Sequence, residues 1–190
     1  MGLVLDTVGK LIARYLQKEV PGYEPFTPSD PERLRGLLYA EPAAWAELAE
    51  GTTAVAIRSA QLQVDAGAQA VHVYDTWAGG LDEDVYRRHV LPWSKRLFDA
   101  VATLRVPAIH YALRGGHLLE AMAEAGGEVI GIDWRVPLDE AFERVGPGRG
   151  VQGNLDPTLL LSPLERVLGA TASALSAGAG RPGFIFSLGH

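Results

Sequence analysis

The sequence predicts an α/β protein in which parallel strands alternate with helices. Two observations carry this. Short apolar runs recur through the C-terminal two-thirds of the chain, each closing on Gly, Asp or Asn, and longer amphipathic segments separate them. Strands and helices that alternate in this way form βα units around a parallel sheet. At 190 residues, 47% hydrophobic and 21% charged, the chain can bury a core and fits one domain.

In chain order, Gly9 to Lys18 is expected to be a helix and Val20 to Pro28 a proline-rich connection. Ser29-Asp30-Pro31-Glu32 then reads as a cap opening a helix through Tyr39. Pro42 to Ala66 follows as a long helix, with Pro42 in the first turn, where a missing N–H costs nothing, and Gly67 as its stop. Ala70 to Tyr74 is the first expected strand, closed by Asp75-Thr76-Trp77. Asp82 to Leu104 is read as one helix kinked at Pro92. Val106 to Ala112 is a strand and His117 to Ala125 a helix ending at Gly126-Gly127. Val129 to Ile132, Gly150 to Gln152 and Phe184 to Phe186 complete the strands. Leu138 to Val145 and Ser162 to Leu175 complete the helices, the last with Ser162 as N-cap and Pro163 as first helical residue. Five such units fit either a complete flavodoxin-like open sheet or five-eighths of a (β/α)8 barrel, which typically needs ~250 residues. Periodicity does not separate the two.

Composition removes several functions. With 17 Lys+Arg against 23 Asp+Glu and no basic cluster, the chain is not expected to bind nucleic acid, which depends on clustered cations. No cysteine means no disulfide scaffold, thiolate zinc site or cysteine nucleophile. No run approaches the ~18 apolar residues of a membrane span, and Met1 to Thr7 lacks the features of a secretory signal. A soluble, cytoplasmic protein without metal or membrane partner is the expectation.

In either architecture the chemistry belongs just beyond the C-terminal ends of the strands. Those positions are Asp75 to Gly80, Arg114 to His117, Asp133-Trp134, Gly153 to Pro157 and Gly189-His190. Asp75 and Asp133 read equally as turn residues or as functional carboxylates, and with Asp156 they could converge as paired acid and base. Gly79-Gly80 and Gly115-Gly116 read as plain turns rather than anion cradles, because neither completes a phosphate-loop pattern. Trp77 and Trp134 are wedges under the loops or platforms for a ligand. His72 and His110 lie within strands and read as core histidines. Neither an HExxH nor a GxSxG pattern is present.

The segment Gly67-Ala68-Gln69-Ala70-Val71-His72-Val73-Tyr74-Asp75-Thr76-Trp77-Ala78-Gly79 resembles the part of the uroporphyrinogen decarboxylase family that carries a Ser/Thr after a strand. Leu119 to Gly126, Gly131-Ile132-Asp133-Trp134, Gln152 to Pro157 and Leu188-Gly189-His190 resemble the following blocks in the family's order. The resemblance implies a (β/α)8 barrel, here incomplete with about five of eight βα units. It divides the chain into a poorly matched leader, 1-28, and a family-like region, 29-190. It implies removal of the four acetate carboxyls of uroporphyrinogen III to give coproporphyrinogen III, with no cofactor and, as a full-length protein, a homodimer. By the same resemblance Thr76 and His190 contact substrate carboxylates and Tyr15 is the family's substrate-contacting tyrosine. The Arg-rich loop and the aspartate expected from the family's N-terminal third have no counterpart, and Asp6 and Arg14 do not supply one. The family also continues past the position of His190. The isolated chain is therefore expected to be a partial decarboxylase carrying the fourth to eighth strands, with no confidently placed catalytic residue and little or no activity of its own.

Overall fold

A computed structural model describes residues 31–189. Tyr15, His190, Asp6, Arg14 and the expected helix over Gly9 to Lys18 lie outside the described residues. Helix α1 (Pro31–Ala40) leads into α2 (Pro42–Asp65), which has proline in its first turn and stops before Gly67, a residue at φ 101°. The remainder runs β1 (Val71–Tyr74), α3 (Glu83–His89), α4 (Leu91–Ala102), β2 (Ala108–Tyr111), α5 (Leu119–Ala125), β3 (Val129–Gly131), α6 (Leu138–Val145), β4 (Gly150–Leu155), α7 (Leu164–Gly178) and β5 (Phe184–Leu188).

All five strands are parallel and their order in the sheet is β1-β2-β3-β4-β5. A flavodoxin-like sheet reverses direction at its first strand. The sequential order overturns that alternative and leaves a partial barrel of the (β/α)8 type.

The pleat separates two rows of side chains across the sheet. Val73, His110, Ile130, Val151 and Phe184 stand in register on one face. That face meets the helices: Val71, Val73 and Ala108 pack with Ala60 of α2 and Phe98 and Val101 of α4, while Ile130 and Val151 pack with Leu119, Met122 and Ala141 of α5 and α6. Each fully buried aliphatic side chain there contributes about 1.5–3 kcal/mol. Tyr74, Tyr111, Gly131, Gln152 and Ile185 form the opposite row. Gly131 is required in it, because a Cβ would press on the Tyr111 ring at 2.9 Å.

Two local expectations need correction. The segment from Asp82 to Leu104 is two helices broken at Val90, not one kinked helix. Pro92 has no N–H to give back to the Arg88 carbonyl, the Trp93 N–H turns to the Val90 carbonyl at 3.0 Å, and the His89 carbonyl it leaves accepts the Trp45 indole N–H at 2.9 Å. Ser162 does not cap α7. Its hydroxyl donates to the Leu159 carbonyl at 2.6 Å, closing the 3-10 turn Pro157–Leu161, and the helix starts at Leu164 after an extended Pro163. Strands β4 and β5 also run further than expected, since Asn154 and Leu155 remain paired with Ser187 and Leu188.

His110 is a core histidine as expected: it is fully buried, its ring lies 4.6 Å from Phe98, and its Nδ1 faces the Met122 carbonyl at 3.3 Å. Burial pushes both His110 and His72 down to about 4 from 6.5. The folded state therefore refuses protons that the unfolded chain accepts, so stability is full above pH 6.5 and is lost as pH falls toward 4. The expected outcome is a shallower decline in that window for His110→Phe than for the wild-type chain, read from urea unfolding at stepped pH. Parallel declines would contradict it.

Candidate active site at the C-terminal ends of the strands

The turns that follow β1, β2 and β3 and the end of β5 meet on one rim. The backbone forces this contact. A Cβ on Gly79 would collide with the Leu113 carbonyl and the Arg114 backbone, so the turn after β1 lies directly on the turn after β2. His117 fixes the same pair from its Nε2, 2.7 Å from the Leu81 carbonyl. A Cβ on Gly189 would likewise meet Asp133 and Trp134, which seats the residue before His190 against the turn after β3. The Tyr111 hydroxyl reaches the Gly189 carbonyl at 3.4 Å.

Asp133 organises this rim. Its side chain is 1% exposed and accepts from the Arg114 N–H at 2.7 Å, the Arg135 N–H at 2.8 Å and the Arg135 guanidinium at 3.0 Å. Arg135 also stacks over the Trp134 ring at 3.8 Å. Asn154 donates from Nδ2 to the Val136 carbonyl, tying β4 to the same turn. The three carboxylates considered together from sequence are not bonded to one another. Asp133 holds the rim, Asp156 accepts from the N–H and hydroxyl of Thr158 at 2.8 Å each, and Asp75 stands apart. Burial pushes the Asp75 carboxyl up to about 6 from 3.8. The pairs Gly79-Gly80 and Gly115-Gly116 are in 3-10 turns, with the Gly80 and Gly115 N–H groups occupied by the Trp77 and Ala112 carbonyls.

Thr76 is exposed on this rim, in the turn directly after β1. Trp77 beside it is 56% exposed and so is no wedge. Below the rim, a cavity of about 290 Å³ opens on the helix-free face, lined by His72, Tyr74, Tyr111, Ile132, Gln152, Ser187 and Leu188. Its floor is aromatic. The His72 ring stacks on Tyr74 at 4.1 Å, and Tyr111 stands edge-on to Tyr74 at 5.5 Å. His72 Nε2 and Gln152 Oε1 are buried there without a hydrogen-bond partner among the described residues. Buried polar atoms are normally paired, so two orphans on one wall mark a surface suited to a polar, flat ligand. Burial keeps the His72 imidazole neutral near pH 7 and, with the charge of Asp133, pushes the Tyr111 phenol up to about 12.

His72 is thus a cavity residue and not a core histidine. Its alternation with Tyr74 was the available signal, but alternation does not say which face is left uncovered. Arg135 carried no sequence signal at all. Among the described residues no group of three His, Asp or Glu side chains could hold a metal ion, and no helix is long and apolar enough to cross a membrane.

Asp133→Ala removes acceptors from two loops at once and is expected to cost about 2–4 kcal/mol in urea unfolding. For Asp75, the raised folded value means stability is full below pH 3.8 and is lost as pH rises to about 6. Asp75→Asn should therefore gain stability relative to the wild-type chain across that interval and hold a constant advantage above it. A pH-independent difference would contradict this.

The family model for uroporphyrinogen decarboxylase (URO-D) matches residues 27–190. The uroporphyrinogen decarboxylase of Streptomyces griseus is 47% identical over 159 residues, covering 84% of this chain and 44% of that protein. That of Frankia casuarinae is 49% identical over 166 residues, covering 85% and 43%, and that of Sorangium cellulosum is 42% identical, covering 100% and 58%. The chain spans about half the length of these curated relatives. A methyltransferase from Methanosarcina mazei has the same fold, with a TM-score of 0.74 over 95% of this chain and 57% of that one, at 16% identity. With a match that runs from the helices before β1 to the last residue, the chain belongs to the uroporphyrinogen decarboxylase family.

Proposed function

We propose that this chain forms the C-terminal part of a uroporphyrinogen decarboxylase active site and binds uroporphyrinogen III across the rim and cavity described above. The observation that carries this is the family match over residues 27–190, with Thr76 presented in the turn directly after β1. Residues 29–190 act as the family-like unit and 1–28 as its leader. The reaction exchanges each acetate carboxylate for a proton. A proton added to a pyrrole carbon makes a cation, the bond to CO2 breaks and its electron pair neutralises that cation. The exocyclic carbon then takes up a proton to become a methyl as the ring carbon loses its own. The pyrrole is its own electron sink, so the protein must position the substrate and stabilise developing charge.

In this reading the Thr76 hydroxyl donates to a substrate carboxylate, His190 donates to or protonates another, and Tyr15 contacts the macrocycle. Tyr74 and Tyr111 support the flat rings, and Gln152 and neutral His72 offer acceptors to pyrrole N–H groups. The outer edges of β1 and β5 are unpaired among the described residues, which leaves the cavity open to water. An open site weakens every electrostatic contact within it, those to developing charge included, so the 190-residue chain should bind substrate through the rim and aromatic floor that remain but turn it over slowly or not at all.

The test is quenching of uroporphyrin III fluorescence by the chain, with anaerobic turnover of uroporphyrinogen III followed by separation of the oxidised porphyrins. Saturable binding is expected, and Thr76→Val, which removes one hydrogen bond at equal size, should weaken it about three- to tenfold. Absence of binding overturns the function. Turnover equal to that of a full-length relative overturns the claim that the open cavity limits the chain.

A further inference from the structure

A second cavity, of about 350 Å³, lies between the turn after β2 and the turn after β3. It is lined by Arg114, His117, Asp133, Arg135, Glu140 and Arg144 among others. Its arginines differ in their partners. Asp133 is paired with Arg135 at 3.0 Å, and Glu140 with Arg144 at 3.2 Å, Arg144 being held also by Glu120 at 2.7 Å. Arg114 is exposed and forms no ion pair among the described residues, so its guanidinium is the lining cation left without a carboxylate partner there.

The backbone under that side chain is unusual. Arg114 is left-handed at φ 60°, ψ 19°, a conformation that disfavours any residue with a Cβ and suits glycine. The strain is held by the 2.7 Å bond from its N–H to the buried Asp133 carboxylate. Glycine would serve this turn better than arginine, which directs attention to what the guanidinium does. The same backbone lies against Gly79, three residues beyond Thr76, so Arg114 shares the rim on which the substrate hydroxyl contact is proposed.

We propose that Arg114 is a carboxylate-binding residue of this rim. Its planar fork takes a carboxylate of a polycarboxylate ligand in two parallel hydrogen bonds, with the Asp133 tie holding the backbone beneath it. Identification of that ligand as the octacarboxylate tetrapyrrole rests on the proposed function. The recognition chemistry itself does not.

The experiment compares the wild-type chain with Arg114→Gly, Arg114→Lys and Arg88→Ala. Arg114→Gly relieves the left-handed strain while removing the guanidinium, and its thermal midpoint should not fall below that of the wild-type chain. Arg88→Ala removes the same charge from an exposed position of α3 that does not line the cavity. Two probes are titrated, uroporphyrin III by fluorescence and benzene-1,3,5-tricarboxylate by calorimetry. Arg114→Gly should weaken uroporphyrin III about tenfold, Arg114→Lys by less, and Arg88→Ala by under about twofold. Uroporphyrin III binding that is unchanged in Arg114→Gly, or reduced equally by Arg88→Ala, overturns the inference and leaves the proposed function standing. Arg114-dependent binding of the tricarboxylate without binding of uroporphyrin III supports the carboxylate site and overturns the tetrapyrrole reading. Binding of neither probe overturns both.

Discussion

A carboxylate sealed from water at the end of β3 must be matched by donors, and the donors available to Asp133 come from two different turns. An unpaired buried charge costs several kcal/mol, so the turns after β2 and β3 are held wherever their N–H groups can reach it. Arg114 accepts a left-handed backbone under that requirement, and Arg135 folds back over Trp134. The contacts of Gly79 with the second turn and of Gly189 with the third then extend the fixed region to Thr76 on one side and to the last described residue on the other. One buried acid thus sets the geometry of a rim to which four strands contribute.

The sheet below has two unlike faces, and their difference locates the site. On one, Ile130, Val151 and His110 are sealed under helices, and even the histidine is kept uncharged by burial. On the other, where no described helix packs, Tyr74, Tyr111 and Gln152 stand in a row with Gly131 and Ile185, and one buried atom each of His72 and Gln152 lacks a partner among the described residues. Parallel strands place every C-terminal end on the same side, so the turns that carry the polar groups gather above this second face. Fold and site are consequences of the same pleat.

Much of this was legible in the sequence for local reasons. The helix before β1 begins at Pro42 and stops before Gly67 because a missing N–H and a positive φ are properties of single residues. The reading failed where two elements competed for one group. Ser162 could have capped α7 but closes the preceding 3-10 turn, and the break before Pro92 depends on Trp45, 44 residues away, to satisfy the His89 carbonyl. His72 looked like a core residue because its neighbours are apolar, and only the position of the helices shows that it faces the cavity.

By itself the sequence determined the strand–helix alternation, the family and the placement of Thr76 after a strand, since each of these is written in residue types and spacing along the chain. Which strand lies beside which, and therefore a barrel arrangement in place of a reversed open sheet, was decided by tertiary structure, because a period of two records the faces of a strand and nothing about its neighbours. The same holds for the rim. The bonds of Asp133 to Arg114 and Arg135 and the unpaired guanidinium of Arg114 on the rim exist only once distant turns are brought together, as do the orphaned atoms of His72 and Gln152. Hydrogen bonds and desolvation act over a few ångströms in space, whatever the separation in sequence.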